Sequence, residues 1–106
     1  METSQFNRLA QQVFGRVVDA FDALDPDRAE ADPSAGFIEI TFADGACFVV
    51  STQSAAHQIW LAADARGWHF DYDPGRERWI STRGDDELLS TLEELVGARL
   101  GEPFSI

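Results

Sequence analysis

Apolar and polar residues alternate along the middle of the chain, and this alternation predicts a β-sheet. Ile38, Ile40 and Phe42 are separated by single residues, and the two-residue period of a strand places all three side chains on one face. The intervening residues then lie on the opposite, outer face. The strands predicted in this way are 37–42, 47–50, 58–61 and 68–72, with a short fifth one at 78–80.

The short spacing between the first two strands predicts that they form a hairpin. Asp44-Gly45 lies between them, and this dipeptide favours a tight turn because glycine tolerates a positive φ. Farther along, the parity of strand 58–61 places Trp60 on the outer face, whereas Trp79 is predicted to point inward. All five strands therefore belong to one antiparallel sheet with one apolar face.

A helical period flanks the predicted sheet on both sides. Apolar residues recur at three- and four-residue spacing from Phe6 to Leu24, which indicates an amphipathic helix. Thr3 or Ser4 is the predicted cap of its start, and Asp25-Pro26 is predicted to end it. A second apolar stripe runs from 88 to 100. Asp85 is its predicted cap and Gly101 its predicted end.

The order helix, five strands, helix predicts an α+β fold. We expect a two-layer α-β sandwich, in which both helices pack on one face of an antiparallel sheet of about five strands and the other face meets water. Residues 1–106 have the length of a single domain. The segment 25–34 has no apolar period, and we expect it to be an acidic connector.

The composition narrows the classes of partner. Eight Arg and no Lys stand against 19 Asp and Glu, for a formal net charge of −11, so nucleic acid and anionic membranes would be repelled. Cations and basic protein surfaces are the natural counterparts.

Cys47 is the only cysteine, so no intramolecular disulfide can form. Without a long apolar run or a leader pattern, we expect a cytoplasmic protein.

Acidic residues cluster where the first helix ends. Only Arg28 lies within the run to neutralise them, and a helix C-terminus disfavours negative charge. Carboxylate oxygens suit hard cations, so these residues are candidate ligands for iron, Mn, Ca or Mg, bound weakly with many waters retained. A solvated acidic face is the alternative. The cluster, named the acidic ridge below, consists of Asp19, Asp22, Asp25, Asp27, Glu30 and Asp32.

The outer face of the predicted sheet carries a second group of candidates. Gln58 and Trp60 lie on one strand, and His69 and Asp71 on the next. Tryptophan is enriched at binding hot spots, so this group is either a partner-binding surface or simply an exposed one.

Catalytic motifs are missing, because there is no nucleophile elbow and no paired histidine spacing. We expect a protein that is not an enzyme.

The first helix, the acidic ridge and the sheet segments together resemble the bacterial frataxin-like family, CyaY. The resemblance covers nearly the whole chain. Its most specific part is the stretch from Gln58 to Leu61. The matching segments are SQFNRLAQQVF, GFIEITFADG, HQIWLA, GWHFDYD and RWIS.

This resemblance implies a protein that binds iron weakly through acidic residues and needs no organic cofactor. It also implies docking on the cysteine desulfurase of iron–sulfur cluster assembly, alongside the scaffold protein, and a monomer in the absence of metal. The resemblance implies that the acidic ridge binds the metal. It also implies a partner-binding set that consists of Asp19, Asp22, Asp25, Gln58 and Trp60. The chain departs from the family pattern at Val18 and Ala23, where carboxylates are common, and at Arg28.

The expected function is therefore that of an iron-binding protein of cluster assembly, which acts as iron donor, as regulator of the desulfurase, or as both. Two alternatives come from other classes. One is a ferroxidase, which would need a buried dinuclear site that the sequence does not offer. The other is an acidic interaction domain whose metal binding is incidental.

Overall fold

A computed structural model describes residues 1–106 as two helices and six strands. The strands form one antiparallel sheet in the order β1-β2-β3-β4-β5-β6, in which each strand pairs with its neighbour in the chain. One turn of 3-10 helix, Ser54–Ala56, connects β3 and β4. The elements are α1 Thr3–Asp22, β1 Ala29–Ser34, β2 Phe37–Phe42, β3 Cys47–Gln53, β4 Gln58–Ala63, β5 Arg66–Asp73, β6 Arg78–Ser81 and α2 Leu88–Leu100.

The two predicted layers are present, with one core between them. The buried apolar side chains of both helices and of the inner sheet face belong to a single cluster. Phe6 of α1 lies edge-on to Trp79 of β6, with ring centroids 5.8 Å apart. Phe21 at the other end of α1 packs on Phe104 of the C-terminal segment at 4.9 Å. The predicted α+β two-layer fold is therefore confirmed.

The sheet has one strand more than the sequence predicted. The segment expected to be an acidic connector contains β1, which pairs with β2 from Ala29↔Phe42 to Ser34↔Phe37. Ala29 is buried and Ala31 half-buried, so the alternation exists but is carried by small side chains that give a weak signal. Pro33 argues against a central strand, yet β1 is an edge strand, where proline is tolerated.

Both helix starts differ from the predictions. Glu2 is the N-cap of α1 and makes no side-chain cap hydrogen bond. Thr3, one of the predicted caps, lies inside the helix, with its hydroxyl 3.5 Å from His57 Nε2. At α2 the cap is Glu87, whose carboxylate accepts hydrogen bonds from the backbone N–H groups of Leu89 and Ser90. The predicted cap, Asp85, lies two residues before Glu87. An isolated bridge pairs Glu87 with Ile80, and Glu87 is extended, so the helix begins only at Leu88.

The turns and the end of α2 follow the predictions. Phe42 N–H donates to Ala46 O at 2.9 Å and closes the β2–β3 hairpin, with Gly45 at φ +87°. Gly101 ends α2 in the left-handed region at φ +74°, as a C-terminal glycine does. Neither helix is both long enough and apolar enough to cross a membrane.

Candidate functional site: the acidic ridge and the outer sheet face

All six carboxylates of the acidic ridge are exposed. None has an Arg, Lys or His nitrogen within 4.0 Å, because the four ion pairs of the molecule involve other acidic residues. Within the ridge, a side-chain hydrogen bond orders the turn after α1: Asp25 Oδ1 accepts the backbone N–H of Asp27 at 2.9 Å. No ion pair of the molecule therefore compensates the charge of the ridge.

Arg28, the one positive residue inside the ridge, is directed away from it. Its guanidinium pairs with Glu102 and donates to Leu100 O at 2.8 Å, at the end of α2. The sequence suggested that Arg28 could neutralise its acidic neighbours. Instead its charge compensates a residue of the C-terminal segment, and so the ridge is more negative than the local sequence indicates.

The acidic ridge is divided between two surfaces of the fold. Asp19 and Asp22 lie on α1, and Asp25 and Asp27 lie in the turn that follows. Glu30 and Asp32, by contrast, alternate on β1 with alanines that face the core, so both project from the outer sheet face. No group of three or more His, Cys, Asp or Glu side chains lies close enough together to hold a metal ion. The predicted ligands are thus neighbours along one edge, and they are not gathered into a compact metal centre.

Register adds a carboxylate that the sequence analysis did not single out. Asp32 on β1 lies directly opposite Glu39 on β2, and both side chains are exposed on the outer face. Like charges that face each other across two strands repel. The outward parity of Glu39 was visible in the alternation of 37–42, but its neighbour could not be identified until β1 was recognised as a strand.

The outer-face group of the sequence analysis forms one connected set. Trp60 on β4 is paired with His69 on β5, and their rings stack with centroids 4.1 Å apart and planes at 6°. Trp60 Nε1–H donates to Gln58 Oε1 at 2.9 Å, and Gln58 Nε2–H donates to Asp71 Oδ1 at 3.0 Å. The stacking and these bonds fix the orientation of the indole, and 36% of Trp60 remains exposed to solvent.

A second aromatic side chain lies near this group. Phe37 is 37% exposed and Trp60 36% exposed, and apart from Met1 they are the only large apolar residues so exposed. Ser51 of β3 pairs with both of them, so they occupy the same row of the outer face. The sequence predicted the outward parity of Phe37, but only the strand register places it in the same row as Trp60, with Ser51 between them.

The two histidines lie in separate environments. His57 stacks on Phe6 of α1 with ring centroids 5.3 Å apart, whereas His69 stacks on Trp60 across the sheet. Neither histidine lies in an ion pair with a ridge carboxylate. His57 therefore has a packing role between α1 and the β3–β4 connection.

The fold and this edge arrangement define a two-layer α-β protein of the frataxin-like class, and the comparisons with known proteins agree. The model of the frataxin-like domain matches residues 1–102. The chain is 38% identical over 102 residues to the iron-sulfur cluster assembly protein CyaY of Dechloromonas aromatica, covering 96% of this chain and 95% of that protein. It belongs to the frataxin-like family, among the bacterial CyaY proteins.

Solved structures give the same result. Frataxin from Psychromonas ingrahamii superposes with a TM-score of 0.89 at 26% identity, over 99% of this chain and 97% of that one. A trimeric frataxin from the yeast Saccharomyces cerevisiae, crystallised in complex with ferrous iron, superposes with a TM-score of 0.65 at 23% identity, over 96% and 88% of the two chains. The latter likeness concerns the fold alone.

Proposed function

We propose that this protein acts in iron–sulfur cluster assembly as a non-enzymatic iron-binding partner of the cysteine desulfurase. The observation that carries the proposal is the acidic ridge: six exposed carboxylates without an ion-pair partner, in a chain of net charge −11. The relatives are named as proteins of this assembly process, which supports the choice of pathway.

Iron binding in this proposal is weak and rich in water. The ridge offers oxygen donors of the kind that hard cations prefer, but it supplies them from separate positions on α1, the following turn and β1. A cation would therefore contact one or two carboxylates at a time and keep most of its waters. Iron is the cation of the proposal because the relatives are named as iron-sulfur cluster assembly proteins, and a role as iron donor or regulator is proposed for the same contacts.

Docking in this proposal uses both surfaces. The ridge attracts a basic groove of the desulfurase over a long range, which raises the association rate. The outer face supplies the short-range contact, because the exposed Trp60 is held in one orientation by Gln58 and His69, with Phe37 in the same row. The scaffold protein is the further partner expected at this face. The protein is proposed to be a cytoplasmic monomer without metal.

Kinetic measurements on two variants test the docking. Asp19→Lys combined with Asp22→Lys changes the ridge charge by four units without touching a buried residue. Binding to the desulfurase should weaken mainly through slower association, with a flattened dependence on salt. Trp60→Ala should act mainly through faster dissociation, as loss of a short-range contact does. Stopped-flow association at two ionic strengths measures both effects.

A matched control separates the ridge from net charge. Glu77→Lys combined with Glu94→Lys makes the same change of four units at two exposed positions outside the ridge. This control should associate much faster than the ridge variant. If the two double variants associate equally slowly, the ridge has no special role. Undiminished binding by the ridge variant would contradict the proposal outright.

A second measurement separates iron binding from docking. Asp19→Asn with Asp22→Asn removes ligands while adding no positive charge, and anaerobic titration with ferrous iron then reports metal affinity alone. A loss of iron affinity together with desulfurase affinity supports one shared ridge. If partner binding falls and iron binding does not, the alternative of an acidic interaction domain with incidental metal binding is favoured. Rapid oxidation of ferrous iron by the parent protein would favour the ferroxidase alternative.

A further inference from the structure

A cleft of about 440 Å³ lies at the opposite side of the sheet from β1, where β6 ends beside β5. The short strand β6 pairs with β5 only at residues 70–73. The first four residues of β5, 66–69, therefore have no strand on that side. The segment that follows β6 turns across this open edge and forms the far wall of the cleft.

Two guanidinium groups line the cleft from different parts of the chain. Arg66 begins β5 and Arg83 follows β6. Neither has a carboxylate oxygen within 4.0 Å, although the chain has more than twice as many acidic as basic residues and three of its other Arg residues form ion pairs. The Arg66 guanidinium lies 4.5 Å from the ring centroid of Trp68, a cation–π contact that holds it over the cleft wall.

Neutral hydrogen-bond donors face the same space. Thr82 N–H donates to His69 O at 2.9 Å, which shows that the backbone of His69 faces the β6 side. The N–H and C=O of one residue in an antiparallel strand point to the same side, and every second residue repeats that direction. The backbone N–H of Gly67 therefore points to the edge that β6 leaves open. Thr82, whose hydroxyl is a further donor, also lines the cleft.

One carboxylate opposes these donors. Asp86 lines the cleft, but its side chain forms no ion pair with Arg66 or Arg83. With the two guanidiniums counted against Asp86, the cleft lining has one net positive charge when His69 is neutral. It is a locally basic site on an acidic protein.

We propose that this cleft binds a small oxyanion, a phosphate or a carboxylate, between Arg66 and Arg83. Guanidinium groups donate in a planar fork that matches the oxygens of both anions, and the Gly67 N–H and the Thr82 hydroxyl supply neutral donors to a third oxygen. The site shares no residue with the acidic ridge, so it can exist whether or not the ridge binds iron or a partner. Since His69 lines the cleft and also stacks on Trp60, an anion bound here lies next to the outer face.

Titration of the ¹⁵N-labelled full-length chain followed by NMR tests the site. Inorganic phosphate and citrate serve as separate probes, with ionic strength held constant by sodium chloride. We expect saturable shifts concentrated on the amides of Gly67, Thr82 and Arg83. Arg66→Gln and Arg83→Gln should each weaken binding roughly tenfold, since each removes a charge-assisted pair of hydrogen bonds. Asp86→Asn should tighten binding a few-fold.

Arg8→Gln is the matched control, because Arg8 is an exposed arginine of α1 without an ion pair. Binding of both probes supports a general oxyanion site, whereas binding of phosphate alone or of citrate alone supports the site and identifies the source of the anion. Shifts that do not saturate would overturn the proposal. So would equal weakening by Arg8→Gln and Arg66→Gln.

Discussion

The two faces of the sheet each present a tryptophan, and the two side chains are held in opposite ways. Trp79 on β6 is 3% exposed and packs edge-on against Phe6 of α1 and Tyr72 of β5. Trp60 on β4 is 36% exposed and is held from the side by a hydrogen bond and a stacked imidazole. Burial against helices stabilises the fold, whereas lateral anchoring orients a side chain and leaves its surface available.

The same contrast applies to charge. Arg99 of α2 forms ion pairs with two carboxylates. Its guanidinium lies 2.8 Å from both Asp44 and Asp64 and over the ring of Phe42. The hydrogen bond to Asp64, with further attraction from both carboxylates, raises the pKa of Arg99 above its ordinary value. This contact connects α2 to two hairpin turns. The acidic ridge, in contrast, has no ion pair at all, which fits a surface that interacts with something outside the chain.

The largest expected effect tests the comparison of the two tryptophans. Trp79→Ala should lower the free energy of unfolding by about 3–5 kcal/mol, because it opens a cavity in the core. Trp60→Ala should lower it by about 1 kcal/mol or less, since it removes one stacking contact at the surface. Urea unfolding of both variants measures the difference. Equal losses would mean that the two faces do not differ in the way described.

An intermediate effect sharpens the account of the helical layer. Glu87→Ala removes the carboxylate that accepts two backbone N–H groups at the start of α2, and loss of such a cap should destabilise the protein by about 1 kcal/mol. Asp85→Ala is the control, because Asp85 lies outside the helix start. Thermal unfolding compares the two variants. A larger effect of Asp85→Ala would favour the cap predicted from the sequence.

The smallest expected effect concerns the outer face. Glu39→Gln removes the repulsion between Glu39 and Asp32, which lie opposite each other on β2 and β1, and should raise the free energy of unfolding by about 0.5 kcal/mol. Glu94→Gln removes an equal charge from an exposed position of α2 and controls for net charge. Unfolding at low and at high salt measures both variants. The gain should shrink at high salt, and a gain no larger than that of the control would contradict cross-strand repulsion.

The periodic elements were determined by the sequence itself. The helical stripe from Phe6, the alternation in β2 and the outward parity of Trp60 follow from where apolar residues recur. The β2–β3 turn follows from the Asp44-Gly45 dipeptide. Each of these features depends on neighbours a few positions away in the chain, and the side chains involved are large enough to give a clear signal. A pattern of this kind reports which face is buried, and so it predicted the two layers.

Only the tertiary structure decided which distant residues meet. Ala29 and Ala31 are too small for their alternation to indicate a strand in the sequence. The strand β1 forms because it pairs with β2 and because α1 packs over these two side chains. Arg28 pairs with Glu102, 74 positions away, and Arg66 and Arg83 line one cleft at the edge of β5 that β6 leaves open. Electrostatic and cross-strand contacts depend on distances through space, and local sequence patterns carry little information about those distances.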